Sequence, residues 1–405
     1  MSQKKKAGSL RITLAIFVGL ILGIIFGLLM PGRFDWMQPV ITLITNLYMN
    51  ALRMMIYPLV FCSLIVGIKG IGSVSATGKI GGQSVLYYVL TTLVASLIGL
   101  FLPKALGLGE GVKIEMIESN VEATPFTSLL DTVQSLIPAN PVASFAEGNM
   151  LQVLVFAIII GITCLAVGEK AKPVVDLAES INEISIKIIS VVMYFTPIGV
   201  FCSISGVIYA NGTETILELG KVLIALYLAM FGYLFIFYGL IVRTLGKCSM
   251  KKFFVTILPA ALNAFGTCSS SATLPISKRC ADELEVPNEI SSLALPLGAT
   301  INMDAVSILM SFMIVFFANA CGVEVNVGLL AIVLLSNTLL SIGTPGVPGG
   351  AIASFAALAT IAGLPTGVMG VYISINTLCD MGATCCNVVG DLACSVAMKE
   401  TAKIK

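Results

Sequence analysis

Residues 376–391 read NTLCDMGATCCNVVGD and lie inside an apolar segment, Gly370 to Ala397, long enough to cross a bilayer. Counted from Asp380, Ala383, Thr384, Asn387 and Asp391 follow at offsets of three, four, seven and eleven, with Asn376 one turn earlier, so all share one face of a helix. An ionised carboxylate at the centre of a membrane helix costs roughly 2.5 to 3.5 kcal/mol even on lenient insertion scales. Two of them on one stripe must meet cations or a polar cavity.

The rest of the chain supplies the membrane. It is 57% hydrophobic and 11% charged with a mean hydropathy of +1.00, where ordinary soluble domains carry about 25% charged residues. A polytopic membrane protein is the only class that fits. The net charge of +1 and the lack of any basic face beyond Lys4, Lys5 and Lys6 exclude a nucleic-acid partner. That cluster marks a cytoplasmic terminus. Ile12 to Met30 is as long as a full span and has no small-residue cleavage site after it, so a retained first helix is expected rather than a signal peptide. Of the eleven cysteines, Cys62, Cys164, Cys202, Cys379, Cys385, Cys386 and Cys394 fall in apolar segments without metal-like spacing and read as small core residues.

Uninterrupted apolar segments predict helices over 10–30, 39–68, 83–107, 150–167, 182–210 and 219–243. A polar stretch, Gly109 to Asn149, predicts an external excursion between the third and fourth. Lys69 and Lys79, Lys170 and Lys172, Arg243, Lys247, Lys251 and Lys252, and finally Lys399, Lys403 and Lys405 mark the inner side, which places both termini in the cytoplasm.

After residue 250 the pattern changes and repeats. Segment 254–281 is apolar at its ends but carries Thr267 to Ser271 in its middle, and a span bearing Thr300 to Asp304 follows. Segment 328–362 carries Ser341 to Gly350, SIGTPGVPGG, in its middle, and the 376–391 stripe follows. Ser269 to Asn302 is 33 residues and Gly346 to Asp380 is 34, so one unit is used twice, with an intervening span that inverts the second copy. Polar or Gly/Pro-rich tips in mid-membrane leave backbone groups unpaired, which lipid does not tolerate and a bound ligand or water-filled cavity does. Paired interruptions of this kind point to re-entrant hairpins around the midplane site of a secondary transporter.

At these residues the chain resembles the dicarboxylate/amino acid:cation symporter family, through TCSSSATLP (267–275), PLGATINMDA (296–305), SIGTPGVPGG (341–350) and DMGATCCNVVGD (380–391), with YYVLTT (87–92) upstream. The resemblance implies an all-α fold of eight transmembrane helices plus two re-entrant hairpins with inverted repeats, assembled as a homotrimer and working as an elevator. Residues 1–78 and 109–215 would form the scaffold, and 79–108 and 216–405 the moving transport domain. The setting implied is a prokaryotic cell membrane, with lipid as the surrounding partner.

Sodium is the cofactor this resemblance implies, and hard cations take oxygen ligands. One site would use Asp391 with carbonyls of Gly298, Asn302 and Asn387. A second would use Asp304, the Asn302 side chain, Thr91, Thr92 and the Tyr88 carbonyl, and a third the carbonyls of Thr300, Ser341, Ile342 and Thr344. For the substrate, Asp380 would hold an α-ammonium with Thr384 beside it. Asn387 and the first hairpin at Ser269 and Ser270 would hold the carboxylate, with Val347, Gly349 and Ala351 closing from the second hairpin.

The side-chain end departs from the acidic-substrate pattern. Ala383 stands where aspartate and glutamate carriers have an arginine, Val306 where they have a threonine, Asn376 where some have an aspartate, and Cys268 where archaeal members can supply an arginine instead. A distal carboxylate would be buried without a partner. The expectation is a sodium-coupled symporter or exchanger of small neutral amino acids such as alanine, serine, threonine or cysteine, close to the alanine-serine-cysteine exchangers. The alternatives are larger apolar amino acids, or acidic amino acids and dicarboxylates. With no histidine in the chain and Met310 where proton-coupled animal members have a glutamate, sodium alone is expected to drive uptake. An enzyme is not expected. Gly390-Asp391 echoes an intramembrane aspartyl protease without its other motifs, and Ser269 to Ser271 have no base to activate them. No ring of like charge suggests a channel.

Overall fold

The computed structural model describes residues 2–76, 79–112, 137–147, 149–211 and 214–402. Among them every regular element is helical. Most of the 109–149 excursion lies outside the described residues. Its described end holds a short helix, α5 (Pro141–Glu147).

The first half contains α1 (Ser2–Leu29), α2 (Gln38–Arg53), α3 (Ile56–Ala76), α4 (Lys79–Ala105), α6 (Met150–Val167), α7 (Lys172–Val192) and α8 (Thr196–Asn211). Two segments expected to be single helices are broken. The 39–68 segment stops at Arg53 and restarts at Ile56, and the 182–210 segment passes through a 3-10 turn at Met193–Phe195. Proline explains both, because its ring clashes with the carbonyl four residues earlier and it donates no N–H. Pro58 faces back to Met54, and Pro197 to Met193.

α9 (Glu214–Gly232) runs through a π turn at Tyr233–Tyr238 into α10 (Gly239–Thr244). The first hairpin is α11 (Met250–Thr267) and α12 (Ser270–Glu283), joined by only Cys268 and Ser269. Cys268 is left-handed, φ 48°, which lets the chain reverse in two residues. The span expected after it is two helices, α13 (Asn288–Ile301) and α14 (Asp304–Ala320), unwound at Asn302 and Met303. The second hairpin is α15 (Val327–Gly343) and α16 (Gly350–Ile361), and α17 (Val368–Thr401) carries the polar stripe.

Among the described residues six stretches are long and apolar enough to cross a membrane, and one of them, Gln152–Ala210, runs from α6 through α7 into α8. Nearly every residue of α14 and α17 is buried in protein, so the polar stripe meets other helices rather than lipid. By contrast Ile21, Leu22 and Ile25 of α1 and Ile224 and Leu228 of α9 are exposed apolar side chains facing outward. All eleven cysteines are free, and of the seven read as core residues six are buried and Cys164 partly so.

α1 crosses α8 through Gly19, Gly23 and Gly27, a small-residue repeat that brings the two backbones together. A Cβ on Gly23 would collide with Ile204 and lie 2.8 Å from the Phe201 carbonyl oxygen. Ser205 Oγ donates to the Gly23 carbonyl at 3.0 Å. Gly23→Val is therefore expected to destabilise the protein by about 1 to 3 kcal/mol, whereas Gly220→Ala on α9, where a Cβ meets nothing within 4 Å, should be neutral or slightly stabilising. Thermal unfolding of the detergent-solubilised variants checks both, and equal melting temperatures for the pair would refute the close crossing.

Candidate functional site

The two hairpin tips, the break between α13 and α14, and the α17 stripe converge. Gly346 at the second tip accepts from Ser269 Oγ (3.1 Å) and from the Ser271 N–H (3.3 Å), so the tips are bonded to each other. A Cβ on Gly346 would strike the Ala299 carbonyl near the end of α13. Ser269 also caps α12, its Oγ accepting from the Ala272 N–H at 3.2 Å. Gly349, at φ 80°, opens α16 and donates its N–H to Asp380 Oδ2 at 3.4 Å. Thr384 donates to Asp380 Oδ1 at 3.1 Å.

Asp380, Thr384, Asn387, Ser270, Gly349, Ala351, Ala383 and Val306 are all buried, and Val347 is partly so. Among the described residues no lysine or arginine pairs with Asp380, Asp304 or Asp391. The three carboxylates are held by neutral donors.

Asp304 is enclosed. Its Oδ1 accepts from Thr92 (2.6 Å), and its Oδ2 from Tyr238 (2.6 Å) and Tyr233 (3.1 Å). Tyr233 and Tyr238 escaped the sequence reading because residues five apart diverge on an α-helix. The π turn brings them onto one carboxylate oxygen. The only signal in the sequence was two tyrosines within the aromatic run YLFIFY. Thr91 Oγ donates to the Tyr88 carbonyl at 3.2 Å, within the same helix.

Asp391 sits against Gly298, where any Cβ would meet its Oδ1, and accepts from the Asn302 amide at 2.8 Å. The Asn302 side chain, expected beside Asp304, is thus bonded to Asp391, and its own Oδ1 is buried without a partner. Asn387 faces elsewhere. Its Oδ1 accepts the Ala305 N–H at 2.8 Å and its amide approaches Met303 Sδ at 3.2 Å, so it caps the restarted helix α14. At the second hairpin, Thr344 Oγ bonds to Ser354 Oγ (2.6 Å), Ser341 Oγ donates to the Thr338 carbonyl (2.8 Å), and the Ile342 carbonyl lies 3.0 Å from where a Gly67 Cβ would stand. Thr300 is exposed and donates to the Leu297 carbonyl at 2.7 Å.

One turn beyond Thr92 and Asp304 a further polar cluster is fully buried. The Asn337 amide donates to Ser311 Oγ (2.6 Å), the Ser307 carbonyl (2.8 Å) and Ser96 Oγ (3.2 Å), tying α15 to α14 and α4. Buried carboxylates, hydroxyls and an orphaned amide oxygen suit a hard monovalent cation. Asp304, Thr92 and the Tyr88 carbonyl form one candidate cradle, and Asp391, Asn302 and the backbone at Gly298 another.

The sodium:dicarboxylate symporter family matches residues 12–401 of this sequence. The chain belongs to that family. It is 27% identical to a proton/sodium-glutamate symport protein of Geobacillus stearothermophilus over 95% of this chain and 93% of that one. It is 28% identical to a C4-dicarboxylate transport protein of Bacillus subtilis over 94% and 91%, and 28% identical to human excitatory amino acid transporter 2 over 96% and 78%. The protein is thus a multi-pass membrane transporter of this family, as the four motifs implied. The substrates in the bacterial names are acidic, so they favour the acidic alternative over the small neutral substrate expected from Ala383 and Val306. The Geobacillus name also sets a proton beside the sodium expected to act alone.

Asp304→Asn keeps the volume and removes the charge, while Tyr238→Phe removes one of three donors to that carboxylate. Sodium titration by thermal shift, without substrate, is expected to lose most of its response in Asp304→Asn and to move by a few-fold in Tyr238→Phe. An unchanged sodium response in Asp304→Asn removes that residue from the cation site.

Proposed function

We propose that this protein is a sodium-coupled symporter of amino acids, gripping the ammonium at Asp380 and the carboxylate at Asn387 and the first hairpin tip, and accepting a small uncharged side chain. The observation carrying this reading is Asp380 itself: a buried carboxylate with only a 3.4 Å N–H and one hydroxyl for company lacks the cation that would neutralise it. An α-ammonium supplies it. Nothing positive stands at the other end of the site, where Ala383 and Val306 present methyl groups.

A second reading, transport of glutamate or C4-dicarboxylates with proton as well as sodium coupling, is favoured by the names of the relatives. A C4-dicarboxylate carries no ammonium and would meet Asp380 as a like charge. Titration of a carboxylate would then have to carry the proton, since the chain contains no histidine.

In the same proposal the chain crosses the membrane eight times, with both termini in the cytoplasm of a prokaryotic cell, and assembles as a homotrimer. Residues 79–108 move with 216–405 as an elevator against 1–78 and 109–215. The packing of α4 on α14, with Thr92 bonded to Asp304, supports placing α4 with the moving part. Met193 of the scaffold covers the second tip, its Sδ 2.8 Å from where a Gly349 Cβ would stand.

Uptake into proteoliposomes under a sodium gradient, challenged with the common amino acids and with succinate, tests the reading. Alanine, serine, threonine and cysteine are expected to compete, and glutamate, aspartate and succinate are not. Asp380→Asn should abolish binding of every amino acid, a loss of about 100-fold or more for a buried ion pair broken on one side. Ala383→Arg with Val306→Thr should weaken neutral substrates and admit aspartate. Glutamate or succinate competing in the wild type while alanine does not would establish the second reading instead.

A further inference from the structure

We infer that Asn376 and Tyr372 form the far end of the substrate site and select a side chain carrying a hydroxyl or carboxamide group. This rests on the amino-acid reading above and narrows it. Asn376 is 2% exposed and its Oδ1 has no hydrogen-bond partner, and Tyr372 is fully buried with an equally unpartnered hydroxyl. The other buried asparagines around the site each bond to protein through a side-chain atom, although the Oδ1 atoms of Asn302 and Asn337 are likewise without partners. Asn302 donates to Asp391, Asn387 caps α14 and Asn337 binds three oxygens. Two adjacent orphaned polar groups on one helix stripe point to a ligand that completes them.

Their placement fits that role. Tyr372, Asn376 and Asp380 are spaced four residues apart on α17, so Asn376 stands about 6 Å and Tyr372 about 12 Å along the helix from Asp380. The Tyr372 ring stacks on Phe355 with centroids 3.9 Å apart and planes at 26°, which fixes where its hydroxyl points. Phe355 belongs to α16, the helix that begins beside the Gly349 N–H bonded to Asp380. The second hairpin and α17 therefore form two walls running from Asp380 to Tyr372. Ala383, one turn beyond Asp380 on the same face, adds no large side chain to this wall.

The chemistry at this end selects by hydrogen bonding. Asn376 Oδ1 accepts and requires a donor, which a substrate carboxylate does not offer and a methyl group lacks. With the ammonium on Asp380, the hydroxyl of serine or threonine spans the single turn to Asn376. A carboxamide such as that of glutamine reaches farther, offering N–H to Asn376 and its carbonyl to the Tyr372 hydroxyl. A site whose buried polar groups await a partner discriminates against the analogue that leaves them unpaired.

The experiment is competition binding to the full-length protein in sodium-containing proteoliposomes, with serine against alanine and glutamine against methionine, on wild type, Asn376→Leu, Asn376→Ala and Tyr372→Phe. Wild type is expected to favour serine over alanine by about tenfold or more. Either Asn376 variant should bring that ratio near one by weakening serine and leaving alanine unchanged. Tyr372→Phe keeps the ring stack and should lower glutamine affinity by about three- to tenfold without moving methionine. Equal wild-type affinity for serine and alanine, or parallel losses of both in the folded Asn376 variant, overturns the inference and leaves the small-neutral reading standing. Binding of glutamate or succinate with none of the four neutral probes overturns both.

Discussion

The Ala305 N–H donates to the Asn387 side-chain carbonyl at 2.8 Å, and the rest of the site depends on that bond. Breaking a helix inside a membrane protein frees backbone groups that neither lipid nor the next turn satisfies. At the α13–α14 break, α17 supplies the missing acceptor. The same stripe sends Asp391 to Asn302 on the other side of the break. The unwound residues Asn302 and Met303 are thereby held open, with their side chains turned to Asp391 and Asn387 on α17.

Much of this was legible in residue order. The stripe from Asn376 to Asp391 marks itself by helical spacing, and the tips by TCSSSA and GTPGVPGG, because polar or Gly/Pro-rich residues in apolar segments demand a special environment. The break at Asn302 was not legible, since INMD carries no proline or glycine and is opened by tertiary partners on α17. Pro58 and Pro197 were visible but lay inside apolar runs whose length suggested single spans. Tyr233 and Tyr238 required the π turn, whose register shift follows from packing against α14 and α17 rather than from local sequence.

On the proposed reading, kinship and chemistry diverge at the side-chain end of the site. Family membership follows from motifs that, on the proposed reading, would hold the ions and the backbone end of the substrate. On that reading substrate choice turns on a few positions within or beside them, such as Ala383, Val306 and Asn376. Arginine at position 383 would place a guanidinium among buried groups, where alanine offers none, and on the same helix Asn376 Oδ1 and the Tyr372 hydroxyl are without partners. At 27 to 28% identity the names of relatives carry the scaffold of recognition better than its last contact.

Coupling on the proposed reading has a physical basis in shared donors. The Ser271 N–H and Ser269 hydroxyl are spent on the Gly346 carbonyl, and the Gly349 N–H on Asp380. A substrate carboxylate at the first tip must take donors from Gly346, and an ammonium at Asp380 competes with Gly349 for the same oxygens. Each exchange loosens the second tip unless something else orders it. The carbonyls of Ser341, Ile342 and Thr344 lie at the end of α15 that leads into that tip, where a sodium ion would gather them. The cation then restores order to the tip that substrate binding loosens, and reciprocity of binding free energy makes the dependence mutual.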